Sequence, residues 1–414
     1  MSFINVISAI GNNNSLYPLL VRDCGIEIPT KVAMTYNQNK SDKYIAKLAV
    51  RERLTDEYSV SAVWLGGGLS IGWCADKIIR KFGFNPDIST KLFKEEAFQG
   101  LEYNINKFRD KAPEVVAELE KAKNNMGKYK NLLAAKFLAQ TVIPIALMGW
   151  VIPKLVFAWT AKTKALREQA IMQDKFESEN KENVEKAPAF KGLGSLAELS
   201  NVQKLFITDA GYAVGRVATA RKRNEAYDIA VKMLGMMYLN FIFPKQLEKL
   251  LNSASAELLK TNLDLDIKML ADKKFLELIK NGTFELPKSD KAKDLIEFID
   301  SKPLAKFTEY ANKYGKVKML NEKIRDPRAY VDFEALGKFR NSIENFGKMA
   351  KNAEGADIIQ KVENYARKAC GVKAATIIMN VLITSGLLAI GLPKFQFLMR
   401  ELITGSKLEP GIVD

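Results

Sequence analysis

Side chains that commonly carry out chemistry are scarce in this sequence. Its 414 residues include no histidine, which excludes His-based triads and Cys-His pairs and removes the commonest general base near neutral pH. The three cysteines, Cys24, Cys74 and Cys370, are widely separated, so we expect free thiols and neither a disulfide framework nor a metal site. Asp264 and Asp266 stand two apart, on different faces of a helix, which does not suit paired acid–base catalysis. The sequence favours a non-enzymatic role and indicates no cofactor, although lysine, carboxylate and tyrosine chemistry stays open.

One glycine-rich stretch, GGGLSIG at 66–72, has the composition of a phosphate-binding loop. It lacks the Gly-Lys-Ser/Thr ending of a P-loop, and its spacing differs from the dinucleotide-binding fingerprint. Gly68 and Gly72 instead form a GxxxG pattern, which lets helices approach closely in lipid. Gly211 and Gly215 form a second such pattern. We predict that these four glycines lie at helix-packing contacts.

The densest basic cluster lies in RVATARKRNE, residues 216–225. Nucleic-acid binding would require interleaved aromatic residues or a recognisable module, and neither accompanies this cluster. Each basic residue near an anionic membrane surface contributes about 1 kcal/mol to binding, so we interpret the cluster as a headgroup contact. A solvated helix face is the alternative interpretation. The predicted contacts are Arg216, Arg221, Lys222 and Arg223.

The composition limits how these residues can be arranged. The chain carries 63 basic and 48 acidic residues, a net charge of +15, which suits nucleic acid, an anionic membrane surface or simple solubility. A mean hydropathy of −0.12 is too polar for a compact transporter built mostly of spanning helices. If the chain enters a bilayer, a few segments therefore do so, and large polar regions lie outside.

Two apolar segments are long enough to cross the hydrocarbon core, which needs about 20 residues. The first, 132–159, is uncharged from Phe137 to Pro153. The second, 373–399, contains an uncharged run of 19 residues from Ala374 to Leu392. We predict that both form membrane-spanning helices, with a buried core helix as the alternative for the second.

Two further segments are weaker candidates for crossing a membrane. Residues 58–75 are uncharged but glycine-rich and only moderately apolar. In 226–243 only Met233 to Phe243 is uncharged, which is too short to span alone and fits a buried helix equally well. Asp228 and Lys232 stand four apart and could pair on one helix face.

Three apolar runs end at a Pro-Lys dipeptide. Proline lacks a backbone N–H and disfavours helix for the residue before it, so we expect each helix to bend or stop there. The lysine can lay its methylenes along lipid while its ammonium reaches the headgroups. The predicted membrane-interface corners are Pro153, Lys154, Pro244, Lys245, Pro393 and Lys394.

Apolar residues at helical spacing follow two of these junctions, over 247–259 and 395–403. Such stripes suit helices that lie flat in a membrane interface, with Arg400 and Glu401 on the polar face of the second. This arrangement indicates a repeated unit of apolar helix, Pro-Lys corner and in-plane amphipathic helix. The alternative is that Pro-Lys dipeptides recur by chance in a lysine-rich chain and the stripes face an ordinary core.

These observations predict an all-α, membrane-associated protein with two to four hydrophobic helices plus amphipathic helices. The N-terminus lacks the basic start of a cleavable signal peptide, and the even distribution of Lys and Arg leaves the orientation open. The predicted divisions are a polar N-terminal region (1–57), a first hydrophobic unit (58–168), a flexible linker (169–190), a second hydrophobic unit (191–260), an amphipathic helical region (261–370) and a C-terminal hydrophobic helix with its tail (371–414).

For function, the sequence favours a structural or organising role at a membrane. The expected partners are membrane lipids, anionic ones included, and a homo- or hetero-oligomer stays open. Nucleic acid is not expected. One alternative is a small-solute or lipid transporter, which requires the weaker segments to span and their polar residues to face a cavity. Another is a soluble helical protein that binds polyanions through its positive charge.

Overall fold

A computed structural model shows that the described part of the chain is almost entirely helical, which confirms the predicted all-α fold. The structure describes residues 3–13, 15–40, 43–95, 97–152, 154–156, 158–159, 162–163, 199–218, 223–355 and 357–405. Within these ranges the strands are a short antiparallel pair, β1 (Met319–Asn321) and β2 (Ile324–Arg325).

The α-helices are α1 (Phe3–Gly11), α2 (Tyr17–Arg22), α3 (Ile28–Asn39), α4 (Lys43–Ala62), α5 (Gly68–Lys81), α6 (Leu101–Phe108), α7 (Pro113–Asn124), α8 (Met126–Ala146), α9 (Asn201–Ala218), α10 (Arg223–Met237), α11 (Phe243–Leu258), α12 (Ile267–Leu270), α13 (Lys273–Lys280), α14 (Ala292–Ser301), α15 (Lys306–Lys313), α16 (Phe333–Lys351), α17 (Ile358–Gly386) and α18 (Leu392–Thr404). Five-residue π-helical turns join several of them: π1 (Asp23–Glu27), π2 (Val63–Gly67), π3 (Leu147–Val151), π4 (Tyr238–Ile242) and π5 (Leu387–Gly391). A 3₁₀ turn covers Thr90–Phe93.

The chain forms two compact units, each assembled from separated segments. Unit 1 comprises Met1–Asn13, Asp76–Leu133 and Pro244–Leu382, and unit 2 comprises Asn14–Ala75, Ala134–Phe243 and Ile383–Asp414. The predicted division into six consecutive segments remains a prediction, and its linker, 169–190, lies outside the described residues.

Unit 1 contains an ordinary apolar core. Phe275, Phe307 and Phe346, which come from α13, α15 and α16, are fully buried there. Asp272 begins α13 and Asp332 begins α16, and each carboxylate accepts a backbone N–H of the first turn. Such caps satisfy backbone donors that the helix itself cannot pair.

Three helical runs are long and apolar enough to cross a membrane: Met126–Val156, Ala226–Leu258 and Ile358–Ile403. The first and third contain most of the two strongly predicted segments, and the second includes the weaker candidate 226–243. The other weaker candidate, 58–75, is not among the three. The described residues are therefore compatible with a membrane-associated protein.

Two of these runs bury a polar side chain and expose an apolar one. In Ile358–Ile403, Thr384 is 0% exposed whereas Leu382 is 61% exposed. In Ala226–Leu258, Asn240 is buried and Leu234 is exposed. Polar groups facing inward and apolar groups facing outward are expected when the surroundings of a helix are apolar.

The helices do not stop at the Pro-Lys junctions that the structure describes. Pro244 and Pro393 lie in the first turn of α11 and α18, directly after π4 and π5. Pro153 lies outside the described residues. A proline ring clashes with the carbonyl four residues earlier, and a π-helical turn widens the helix there by one residue. The helix therefore continues at Pro244 and Pro393 and does not stop there, and the alternative, a bend, remains a prediction.

The same hydrogen bond is present at four of the five π-turns that the structure describes, π1, π3, π4 and π5. The backbone N–H of the residue before the proline donates to the carbonyl five positions earlier, in the pairs Ile28–Asp23, Ile152–Leu147, Phe243–Tyr238 and Leu392–Leu387. The first pair precedes Pro29, a junction that the Pro-Lys pattern missed because its lysine, Lys31, follows two residues later. The recurring element is thus a π-turn followed by an X-Pro helix start.

Candidate functional site

Unit 2 contains a cavity of about 70 Å³ with charged and aromatic walls. Two of the helical runs that could span a membrane contribute to it: Met148 comes from the first, and Lys232 and Asn240 come from the second. The lining side chains are Asp23, Arg53, Asp56, Glu57, Val60, Ser61, Trp64, Met148, Asp209, Tyr212, Arg216, Lys232, Met233, Met236 and Asn240.

The acidic part of the lining contains Asp23 from π1 and Asp209 from α9. The hydroxyl of Ser61 donates a hydrogen bond to Asp23. Asp209 is 6% exposed, and its Oδ2 has no hydrogen-bond partner among the described residues. Burial raises the pKa of Asp209 to about 7, and the nearby carboxylates of Glu27 and Asp23 add to the shift. A buried carboxyl group in this state binds a proton near neutral pH.

The same buried, acidic environment raises the pKa of Asp23. Burial and the charge of Glu27 raise its pKa to about 7, against the opposing effects of the Ser61 hydroxyl and Lys31. Its Oδ2 is the acceptor of the Ser61 hydrogen bond. Two carboxyl groups of the cavity therefore titrate in the same pH range.

Glu57 on α4 lies in the opposite electrostatic environment. Burial alone would raise its pKa, but Lys31, Lys232 and Arg53 outweigh burial and hold the pKa at about 2. The Nε of Arg53 lies 2.9 Å from the Glu57 Oε1, and the Lys31 Nζ lies 3.7 Å from its Oε2. Glu57 is thus a carboxylate throughout the physiological pH range.

Asp56 and Arg216 form a looser pair beside Glu57. The Arg216 Nη2 lies 3.8 Å from Asp56 Oδ2, and the Asp56 Oδ1 has no hydrogen-bond partner among the described residues. Burial raises the pKa of Asp56, and Arg216 opposes that shift. The cavity therefore presents both cationic groups and carboxylate oxygens.

Apolar side chains form the rest of the wall. Trp64 packs edge-on against Phe241, with ring centroids 6.1 Å apart, and Met148 and Tyr212 belong to the same buried cluster. Such a wall excludes water and strengthens electrostatic interactions with anything bound in the cavity. The arrangement of apolar walls with a few convergent polar groups is typical of small-molecule binding sites.

A second buried ion pair lies elsewhere in unit 2. Arg400 donates from Nε and Nη2 to the two oxygens of Asp228, at 2.9 and 2.8 Å, and Gln396 donates to Asp228 Oδ2 at 2.7 Å. Arg400 is 4% exposed, whereas Leu398 is 54% exposed. The sequence placed Arg400 on the outer polar face and paired Asp228 with Lys232. Both expectations were wrong, because a guanidinium matches a carboxylate with two parallel hydrogen bonds.

The predicted basic cluster does not form one surface in the described residues. Arg216 is half-buried at the cavity, while Arg223 is exposed and donates from Nη2 to the Tyr227 hydroxyl at 3.0 Å. Arg221 and Lys222 lie outside the described residues. Headgroup contact by this cluster remains a prediction.

The glycine patterns occupy different environments. The Gly68 carbonyl accepts a hydrogen bond from Gln140 Nε2 at 2.8 Å, and a Cβ added to Gly72 would overlap the Gln140 side chain. A Cβ on Gly211 would overlap Ile145. A Cβ on Gly215 would meet no atom of the described residues within 4 Å. Close packing in lipid by these glycines remains a prediction.

The predicted interface corners each have an exposed lysine: Lys154, Lys245 and Lys394. Pro244 is buried, and its carbonyl accepts a hydrogen bond from Asn380 at 2.8 Å. Their depth in a membrane remains a prediction.

The sequence did not single out the acidic residues of the cavity. Asp23, Glu57 and Asp209 belong to no motif and stand far apart in the chain. The only local signal was Lys232, a charge within an apolar-rich helix. No protein-family description, curated protein or solved structure matches this chain. The cavity itself is therefore the basis for assigning a function.

Proposed function

We propose that this protein is an integral membrane protein that binds a small polar solute in the unit 2 cavity and carries it across the bilayer. The observation that supports this function is a charged cavity lined by residues of two helices long and apolar enough to span. Lys232 is the charged lining residue that lies in one of these helices. A charged side chain in such a helix is costly, and such residues commonly mark solute or ion pathways.

Stability does not account for the charges of the cavity. A buried ion pair seldom stabilises a protein more than apolar side chains of similar size would. Asp209 and Asp56 each have a carboxylate oxygen without a hydrogen-bond partner among the described residues. An unsatisfied buried polar group costs about 1–3 kcal/mol, so a ligand that pairs with it gains that energy on binding.

The transport hypothesis required polar residues of the weaker hydrophobic segments to face a cavity. Lys232 and Asn240 of 226–243 line it, and so do Ser61 and Trp64 from the region of 58–75. An organising role makes no use of such a cavity. The polyanion-binding alternative is less well supported, because Arg216, the first residue of the basic cluster, is directed to the cavity.

Membrane integration is tested by alkaline carbonate washing of membranes that contain the full chain. We expect the protein to remain in the pellet, since apolar helices do not leave the bilayer when peripheral contacts are broken. Release into the supernatant would overturn the integral assignment. Release by salt alone would favour the polyanion-binding alternative, because salt screens surface charge.

Solute binding is tested with the purified full chain in liposomes, using uptake of a panel of radiolabelled amino acids, carboxylates and amines. We expect accumulation of at least one class, reduced about tenfold or more by Lys232→Met, which removes a basic group from the cavity lining. Lys338→Met is the matched control, because Lys338 is exposed and pairs only at the surface with Glu334. Uptake indistinguishable from empty liposomes for every class would refute the transport function.

A further inference from the structure

We propose that the carboxyl groups of Asp23 and Asp209 form a proton-binding site that couples proton uptake to binding of an anionic solute in the cavity. The coupling rests on the proposed transport function, whereas the proton site itself can be measured without any solute.

The geometry leaves Asp209 in need of a ligand. Its side chain is more than nine-tenths buried, it lines the cavity, and its Oδ2 has no hydrogen-bond partner among the described residues. The groups that act on it electrostatically are two further carboxyls, Glu27 and Asp23. A proton on one oxygen removes this repulsion and turns the carboxyl into a hydrogen-bond donor.

Asp23 has a hydrogen-bond partner that does not neutralise its charge. Its hydrogen bond comes from the Ser61 hydroxyl, which is neutral and leaves the negative charge in place. The cation that opposes this charge, Lys31, lies 2.5 Å from Glu27 Oε1 and 3.7 Å from Glu57 Oε2, so its charge is shared with two glutamates. Asp23 and Asp209 therefore carry charge that a proton can neutralise.

Charged and titratable groups from several helices surround Asp23 and Asp209 and influence the pH at which these two carboxyl groups bind protons. Burial, together with the neighbouring carboxylates, raises the pKa of both aspartates to about 7, so protons bind and leave near neutral pH. The titratable and charged groups around the pair are Glu27 on π1, Arg22 on α2, Lys31 on α3, Arg53, Asp56 and Glu57 on α4, Tyr212 and Arg216 on α9, and Lys232 on α10.

A proton fits this site better than a metal ion does. Among the described residues no group of three or more acidic or cysteine side chains is placed to hold a metal ion. A proton needs a single oxygen and no coordination shell. On uptake an O–H bond forms at one carboxylate oxygen, the proton comes from a hydronium ion of the solvent, which becomes water, and one negative charge of the protein disappears.

The charge of the cavity gives the direction of the coupling. Its lining has four carboxyl groups and three basic side chains, Arg53, Arg216 and Lys232. When Asp23 and Asp209 are protonated, two carboxylates remain opposite the three basic groups. The protonated cavity therefore favours an anionic group, and an anion in turn favours proton uptake, because linkage is reciprocal.

Infrared difference spectroscopy of the full chain in lipid tests the proton site. Titration from about pH 5 to about pH 9 should remove a carbonyl band of protonated carboxylic acid, with a midpoint near the raised pKa. Asp209→Asn should reduce this band by about half, and adding Asp23→Asn should abolish it. Asp264→Asn is the matched control, because Asp264 is exposed, and it should leave the band unchanged.

Ser61→Ala provides a second variant that keeps both carboxyl groups. It removes the hydrogen bond that favours ionised Asp23, so the midpoint should move to higher pH. A spectrum without a titrating carboxylic band, or a band unaffected by both aspartate variants, would overturn the proton site.

Uptake measured on the same liposomes separates this inference from the proposed function. The expected result is uptake of an anion that rises as the outside pH falls below neutral, and that loses its pH dependence when Asp23→Asn and Asp209→Asn are combined. Uptake without pH dependence would overturn the coupling and leave transport standing. A titrating band without uptake of any solute would overturn both transport and coupling while the proton site remains.

Discussion

Both units bury charged side chains, but they surround them differently. In unit 1, Arg325 is 1% exposed, and it donates from Nε to Asp300 at 3.1 Å and from Nη2 to Asn104 at 3.0 Å. Its guanidinium also lies 5.2 Å from the centre of the Phe108 ring, and Lys107 lies 2.8 Å from Asp300. In unit 2, Asp209 is also buried but is surrounded by carboxyl groups.

The difference separates buried charges that stabilise the fold from buried charges that are available to bind a ligand. Arg325 and Asp300 compensate each other, and removing either leaves the other buried without its partner. Asp209 instead lies near two further carboxyl groups, Glu27 and Asp23, and protonation or neutralisation relieves their repulsion. Removing a charge should therefore have opposite effects on stability in the two units.

The largest effect is expected for Arg325→Met. The substitution leaves Asp300 buried with Lys107 as its remaining cation, and breaking a buried pair costs about 3–5 kcal/mol. The measurement is thermal unfolding of the purified full chain, compared with Lys338→Met at an exposed position. An unchanged midpoint would show that Arg325 does not organise unit 1.

A smaller effect is expected from pH. Asp23 and Asp209 have pKa values raised to about 7, so the stability that they contribute is complete below their unfolded pKa and is lost as pH rises to about 7. Glu57, with its pKa lowered to about 2, acts oppositely and loses its contribution as pH falls from about 4.5 to about 2. The thermal midpoint should thus peak in mildly acidic solution, and a midpoint that rises steadily from about pH 4 to about pH 8 would contradict the assignment.

Asp209→Asn should stabilise the protein in mildly alkaline solution, where the native carboxylate is ionised and poorly paired. Relief of a buried unsatisfied charge is expected to contribute about 1–3 kcal/mol. The check is the thermal midpoint of the variant at alkaline and at acidic pH, with Asp264→Asn as the control. A loss of stability at alkaline pH would mean that Asp209 holds unit 2 together as Arg325 holds unit 1.

The smallest effect distinguishes two glycines of unit 2. Gly72→Ala introduces a Cβ that displaces the Gln140 amide from its hydrogen bond to the Gly68 carbonyl, and the loss of that bond should cost about 1 kcal/mol. Gly215→Ala meets no atom of the described residues within 4 Å and should stabilise its helix by up to about 1 kcal/mol. Equal responses in thermal unfolding would argue against glycine-dependent packing at Gly72.

The π-turns show what a local sequence pattern can and cannot predict about the backbone. The Pro-Lys dipeptides correctly located places where the backbone departs from an α-helix, because proline lacks an N–H wherever it occurs. The sequence could not show that the helices continue, as they do at Pro244 and Pro393. Continuation depends on one extra residue in the preceding turn.

The sequence by itself determined the helical fold and most of the apolar runs, because helix formation and transfer to an apolar phase depend on composition over about 20 residues. Only the tertiary structure decided which charges lie inside. Asp23, Glu57 and Asp209 come together because three helical elements pack around one cavity, and Arg400 turns inward because Asp228 lies opposite it. Charge pairing acts over a few ångströms in space, so the spacing of charged residues along the chain does not predict which of them will pair.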